Sequence, residues 1–352
     1  MHPAETSREL RLRLSTDAAL RRRFLVLNEP IPGNLRFGVL LEELDWLAAD
    51  TAVDYVHRTH PDGKVVTAAV DEILVRGVAD ASRDLVCRAR LNRVGRTSME
   101  VGLRVESAEG AGHLATCYFT MVARSGDGPE ATSVEVAPLE VPDELARRRA
   151  DKALERQGAW RARRAAATEP PSREEFQQLS ALHGAQEAPG FAGALASQLG
   201  IESWERTYPE QENLSKVIFG GYIMRRAYEL ASIGAERIAP NRPVIAAVNR
   251  VNFLHPVQIG DKLRFTSAVV YTEGPAICVQ IAIERTSRDR LARSLSNSCL
   301  FTFVNVDQEM VLRDVPAVHP TTYAEDGRWL NARRNLRAVE ARLEGPWLGL
   351  RR

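Results

Sequence analysis

The chain has 352 residues, a formal net charge of +1, 44% hydrophobic residues and 26% charged ones. That length allows two domains, each with its own core, and the near-zero charge gives no reason to expect a nucleic-acid or membrane partner. The four cysteines, Cys87, Cys117, Cys278 and Cys299, lie far apart in apolar runs without a C-x-x-C pair. They read as buried thiols in a reducing compartment, not as a disulfide or zinc framework.

Residues 6–14 alternate polar and apolar side chains, as a half-buried strand does. A short helix is expected over 16–23, and Pro30, Pro32 and Gly33 mark a loop. Phe37-Gly38 opens a helical run to about His57, with Leu40, Leu44, Leu47 and Ala48 as its core stripe and Glu42, Glu43 and Asp45 beside it. His57 and His60 read as a wet helix end, since no cysteine or acid accompanies them in a metal-ligand pattern. Strands follow over 65–70, 85–94, 98–105 and 116–123, with turns at Gly95-Arg96 and around residues 110–112. One helix followed by a meander is not a βαβ series. Residues 126–142 are loop-like, 143–167 form a solvated helix rich in Arg, Ala and Glu, and Ser172 with Glu175 makes a capping box for a further helix.

The pattern then restarts. A strand is expected over 202–208, a helix over 220–235, strands over 244–251, 263–271, 277–285 and 298–306, and a helical tail over 321–342. In the helix, Ile223, Ala227, Leu230 and Ala231 make one apolar face, with Arg225, Arg226 and Glu229 off it. Gly220 and Gly221 open this helix, where the first N–H groups have no helical partner and the dipole favours negative charge. Without a Cβ, a ligand can approach those amides closely. Tight helix packing is the competing explanation of the same two glycines.

The two halves match residue against residue. Val66-Thr-Ala-Ala-Val aligns with Val244-Ile-Ala-Ala-Val, Leu85 through Val101 aligns with Leu263 through Val279 without a gap, and Thr116-Cys-Tyr-Phe-Thr aligns with Ser298-Cys-Leu-Phe-Thr. Phe37-Gly38 lies against Gly220-Gly221, which sets Asp45 opposite Tyr228. A duplicated module usually packs about a pseudo-two-fold axis, and sites at such an axis draw residues from both copies.

A long helix opened by F-G-G and wrapped by an antiparallel sheet resembles the hotdog fold. Asn213 ahead of Gly220, the run Phe253-Leu-His-Pro256-Val-Gln-Ile-Gly260-Asp261, and Val94-Gly-Arg-Thr-Ser-Met-Glu-Val101 resemble segments of acyl-CoA thioesterases. The overall likeness is to tandem-hotdog enzymes of the mitochondrial type 9 group and their bacterial relatives. It implies an α+β chain: a first hotdog over 1–125, a linker over 126–200, a second hotdog over 201–320 and a helical tail over 321–352. It also implies hydrolysis of fatty acyl-CoA by base-activated water, with no cofactor beyond the CoA of the substrate and no metal.

In the related enzymes a carboxylate on one hotdog helix faces an Asn and the helix start of the other hotdog. Carried over, this makes Asp45 the general base. Asn213 orients water or the carbonyl, and the Gly220–Gly221 backbone polarises the carbonyl. Tyr228 and Pro30 stand at the matching places of the other pairing, with Asn28 or Asn34 as substitutes for the Asn, so one composite site is expected. Glu229 is the rival acid. Arg93, Gly95, Arg96, Thr97 and Ser98 are expected along the CoA path, arginine being well suited to phosphates. No G-x-S-x-G elbow is present, which argues against an α/β-hydrolase. The other readings are a non-catalytic acyl-CoA-binding regulator or scaffold, and a hotdog enoyl-CoA hydratase, which would need a His beside Asp45. The relatives imply a homo-oligomer, a ring of three tandem chains. The N-terminus, with Glu5, Glu9 and no apolar core, does not read as a secretory signal, and no apolar run is long enough to span a membrane. The expected compartment is the cytoplasm, with the mitochondrial matrix as the alternative.

Overall fold

The structure is a computed structural model that describes residues 2–28, 32–110, 112–166, 169–249 and 251–352. The first half comprises β1 (Arg8–Leu12), α1 (Ala18–Phe24), α2 (Phe37–His57), β2 (Lys64–Val70), β3 (Ile73–Val75), β4 (Leu85–Val94), β5 (Ser98–Ser107) and β6 (His113–Ser125). A connection follows with β7 (Thr132–Ser133), α3 (Glu144–Ala166), α4 (Arg173–Gln186) and β8 (Ala194–Leu195). The second half comprises β9 (Ile201–Arg206), α5 (Gly220–Glu236), β10 (Arg242–Val248), β11 (Val251–Asn252), β12 (Lys262–Glu273), β13 (Ala276–Thr286) and β14 (Arg293–Val306), with β15 (Val318–His319) and α6 (Tyr323–Glu340) after it. Each half is a long helix wrapped by antiparallel strands, so the chain is two hotdog modules in tandem.

The sheets of the two halves are continuous. Strand β3 pairs with β10 through Ile73–Val248 and Leu74–Ala247. Strand β11 pairs with β2 through Val251–Val70 and Asn252–Ala69. Under the sequence repeat these two junctions are images of one another, as a pseudo-two-fold requires. The bulges repeat too: β2 shifts register between Thr67 and Ala69, and β10 shifts between Ile245 and Ala247.

Helix α2 is apolar on two sides because it lies between the sheet and α5. Leu40, Leu44, Ala48, Ala52 and Val56 are buried, and so are Glu42 and Asp45. Asp45, expected beside the core stripe, is 0% exposed, because the side of α2 away from its stripe is covered by the second module. The connection docks on the C-terminal tail. The Glu175 carboxylate of α4 takes two hydrogen bonds from Arg334 of α6, and Ser172 caps α4 in the expected reciprocal box with Glu175. All four cysteines are buried free thiols.

Candidate active site

The α2–α5 contact builds the site, and its geometry follows the repeat. With Phe37 opposite Gly220, Glu42 corresponds to Arg225. These two form a salt bridge of 2.7 Å, as equivalent residues meeting on a pseudo-two-fold axis would. A Cβ on Gly221 would lie 3.0 Å from the Glu42 Cα, and a Cβ on the equivalent Gly38 would lie 3.1 Å from the Arg225 carbonyl oxygen. Glycine at both positions lets the helix backbones approach, so the packing explanation of the glycine pair holds for Gly221.

One step outward the symmetry breaks. Asp45 of α2 reaches the start of α5, where a Cβ on Gly220 would be 3.2 Å from Oδ2. The image of this pair is Tyr228 against Phe37, two rings with centroids 5.8 Å apart. Tyr228 also packs on Phe301 and Phe303. An acid facing a glycine leaves space, whereas two aromatic rings fill it. One further step out, Trp46 stacks on Phe219 at 4.1 Å, and the image pair is the ion pair of Arg36 with Glu229.

Asp45 Oδ1 accepts a 2.6 Å hydrogen bond from the Thr67 hydroxyl. Oδ2 is buried and has no hydrogen bond of ordinary geometry among the described residues, although the Gly221 amide is near enough to stabilise the charged form. Burial dominates over both contacts and pushes the carboxyl up to about 7. Thr67 sits at the β2 bulge, a device that re-aims a side chain beside a site. The repeat could have singled it out, because its counterpart is the apolar Ile245. Both the acid and its hydroxyl partner are thus missing from the second half.

A cavity of about 280 Å³ opens here. Thr67 of the first half lines it together with Asn213, Gly220 and the turn Phe253–Val257 of the second. Helix α5 begins at Gly220 with Phe219 as N-cap and no capping side chain, and its Gly221 amide is turned to the Asp45 carboxylate. Asn213 Oδ1 accepts from the Ser215 amide at 2.8 Å, which makes it a turn residue as well as a lining one. Its Nδ2 makes no hydrogen bond among the described residues, so the turn fixes the amide group and leaves a donor for a ligand.

The structure moves several expected residues away from this cavity. Glu229 is held by Arg36 and by Arg226 at 2.7 Å. It lies more than two turns along α5 from Gly220, and neither it nor Asp45 is among the residues lining the cavity; Asp45 borders it through Thr67 and Gly220. Arg93, Gly95, Arg96, Thr97 and Ser98 do not line it either. Their hairpin is one strand away, with Ser98 paired to Val122, and Arg96 faces Glu135 at the surface. The cations at the cavity went unnoticed in the sequence. Arg124 lines it, Lys64 is its cross-strand neighbour, and Lys64 and Lys216 converge on Asp127. Lys216 adopts a positive φ of 56°, an uncommon conformation for a non-glycine residue. Of the second pairing, Pro30 lies outside the described residues, Asn34 is consumed by its bonds with Leu27, and Asn28 is exposed. Among the described residues no group of three or more His, Cys, Asp or Glu side chains could hold a metal ion, and no helix is long and apolar enough to cross a membrane.

The sequence profile of the thioesterase superfamily matches residues 215–292. Human mitochondrial acyl-coenzyme A thioesterase 9 is 28% identical over 356 residues, covering 94% of this chain and 77% of that protein. Mitochondrial acyl-coenzyme A thioesterase 4 of Humulus lupulus is 32% identical over 372 residues, covering 98% of this chain and 67% of that protein. The crystal structure of an acyl-ACP thioesterase from Bacteroides thetaiotaomicron superposes with a TM-score of 0.51 at 10% identity, over 86% of this chain and 100% of that one, which shows a shared fold. With a duplicated hotdog fold and a relative of this similarity along nearly its whole length, the chain belongs to the family of tandem-hotdog acyl-CoA thioesterases.

Proposed function

We propose that this thioester hydrolase cleaves acyl-CoA at one composite site per chain, with Asp45 as the general base. The observation that carries the reading is the buried Asp45 carboxylate of the first module set against the Gly220 helix start of the second, one residue behind a cavity whose wall includes its partners Thr67 and Gly220. A base is most effective when its pKa lies near the working pH, and burial brings Asp45 there. Thr67 holds Oδ1, which leaves Oδ2 to take a proton from water. The water oxygen attacks the thioester carbonyl carbon, and the carbonyl oxygen gains negative charge. Asn213 Nδ2 and the backbone amides of Gly220 and Gly221 at the start of α5 are the donors for that oxygen, the Gly221 amide being shared with Asp45. Collapse of the tetrahedral species expels the CoA sulfur, which takes up a proton, and leaves the fatty acid.

Arg124, Lys64 and Lys216 are the cations offered to the phosphates of CoA, with Asp127 holding the two lysines meanwhile. The division of the chain at 125, 200 and 320 belongs to this reading, as does a homo-oligomer built as a ring of three tandem chains. The mitochondrial names of the human and hop relatives favour the matrix over the cytoplasm as the compartment. The test is thiol release from a panel of acyl-CoA chain lengths by the purified chain. The expected result is CoA formed in step with free acid for at least one chain length. Tight binding without release at any length would establish the non-catalytic reading instead.

A further inference from the structure

On the outer face of the first module a second cleft, of about 580 Å³, opens between β4, β5, β6 and helix α3. It shares no lining residue with the cavity at Gly220. Seven cationic side chains and one carboxylate, Glu9, line it. Four of the cations are matched: Arg8 by Asp54, Arg88 by Glu9 and Glu106, Arg104 by Glu106, and Arg156 by Glu100. The other three, Arg90, Arg149 and Lys152, have no ion pair or side-chain hydrogen bond among the described residues, and Arg90 Nε is buried without a partner. A buried guanidinium nitrogen without a partner, such as Arg90 Nε, is unfavourable unless an acceptor joins it, and Arg149 and Lys152 stand beside it free to hold the same anion.

The sheet does not need these cations. Arg88 and Arg104 are cross-strand partners in the first module, and the equivalent partners in the second are Thr266 and Ala282. Arg90 has Ala268 as its counterpart. The duplicated sheet therefore pairs the same way with and without the charges. Of the remaining cations Arg8 comes from β1, and Arg149, Lys152 and Arg156 come from α3, the arginine-rich helix of the connection, which has no counterpart in the repeat. Tyr118 supplies a flat floor, with the Arg156 guanidinium 3.6 Å above its ring.

We infer that this cleft binds a small anion bearing two or more phosphates, held by Arg90 of the sheet and by Arg149 and Lys152 of α3. The volume suits a nucleotide-sized ligand, and arginine forks match phosphate oxygens. A flat acidic protein surface would not need the concavity.

The test is thermal unfolding of the full chain at fixed ionic strength with pyrophosphate, ADP or sulfate. Pyrophosphate and ADP are expected to raise the midpoint saturably, and sulfate at the same concentration is not. Stabilisation by ADP well beyond that by pyrophosphate assigns a nucleoside to the Tyr118 floor; equal effects assign the phosphates alone. In Arg149→Gln/Lys152→Gln the shift is expected to vanish while the midpoint in buffer is unchanged. In Asp45→Asn the shift is expected to persist, so loss of catalysis and loss of this site are separate results. No shift with either phosphate compound, or an equal shift in the double variant, would overturn the inference. So would a double variant that loses its oligomeric state but keeps the shift, which would make the cleft a subunit interface.

Discussion

Asp45 and Tyr228 hold the same position on the helices of the two modules, and each faces the start of the other module's helix. The carboxylate faces Gly220 and the phenol ring faces Phe37. A duplicated scaffold has thereby kept one polar, open site and filled the other with rings. The asymmetry is a matter of three exchanges between the copies: Asp45 for Tyr228, Gly220 for Phe37 and Thr67 for Ile245.

Replacing Tyr228 by Phe is expected to leave kcat unchanged and to alter stability only slightly, because the ring packing is kept. Steady-state thiol release checks it. A large fall in kcat would mean that the filled site takes part in the reaction.

Thr67→Val removes the one side-chain hydrogen bond to Asp45 among the described residues. A bond to a charged group contributes about 1.5–3 kcal/mol, so kcat/KM is expected to fall by about 10- to 100-fold at neutral pH. The Thr67 bond also lowers the carboxyl pKa, so the acid limb of the pH–rate profile should move upward in the variant. Activity requires the ionised carboxylate, so in the native chain it rises with pH through about 7.

The same carboxyl links stability to pH. Its pKa is raised from 3.8 to about 7 by folding, so the folded chain holds a proton that the unfolded chain releases between those values. Stability contributed by this group is therefore lost as pH rises through that window, by about 4 kcal/mol in all. Asp45→Asn removes the titration while keeping the shape. Its urea midpoint is expected to exceed the native chain's a little at pH 5, where the loss has begun, and by more at pH 8.

Gly220→Ala and Gly221→Ala should separate two roles. A Cβ at residue 221 meets the Glu42 backbone at 3.0 Å and the Phe219 ring at 2.6 Å, so that variant is expected to lose about 1–3 kcal/mol of stability. A Cβ at residue 220 meets Asp45 Oδ2 at 3.2 Å and the Phe253 ring at 3.1 Å. It narrows the space in front of the carboxylate, so kcat should fall more than the unfolding midpoint does.

Glu229→Gln tests the rival acid. Activity is expected to persist, with a stability loss of about 1 kcal/mol from the pairs with Arg36 and Arg226. Loss of activity at full stability would return Glu229 to the catalytic role.

The helices and nearly all the strands were legible in the sequence, because period and turn residues repeat in register across the two halves. The position of Asp45 was legible for the same reason. Its burial was not, since Glu42-Glu43-Leu44-Asp45 has the composition of a solvated helix side, and only the second module covers it. Thr67 lies in an apolar run that reads as an ordinary strand; the bulge that turns it toward Asp45 has no local signature. The hairpin at Gly95, expected along the CoA path, lies one strand from the cavity. Arginines beside a glycine turn stand out in a sequence, whereas Arg124, Lys64 and Lys216 are brought together only by strand pairing and a loop.

Single-turnover release of CoA by Asp45→Asn at pH 8, on protein shown to be folded, tests the account most directly. A general base is worth about 10²- to 10⁴-fold, and a loss of that size with acyl-CoA binding retained is the predicted result. Release at the native rate would contradict the account.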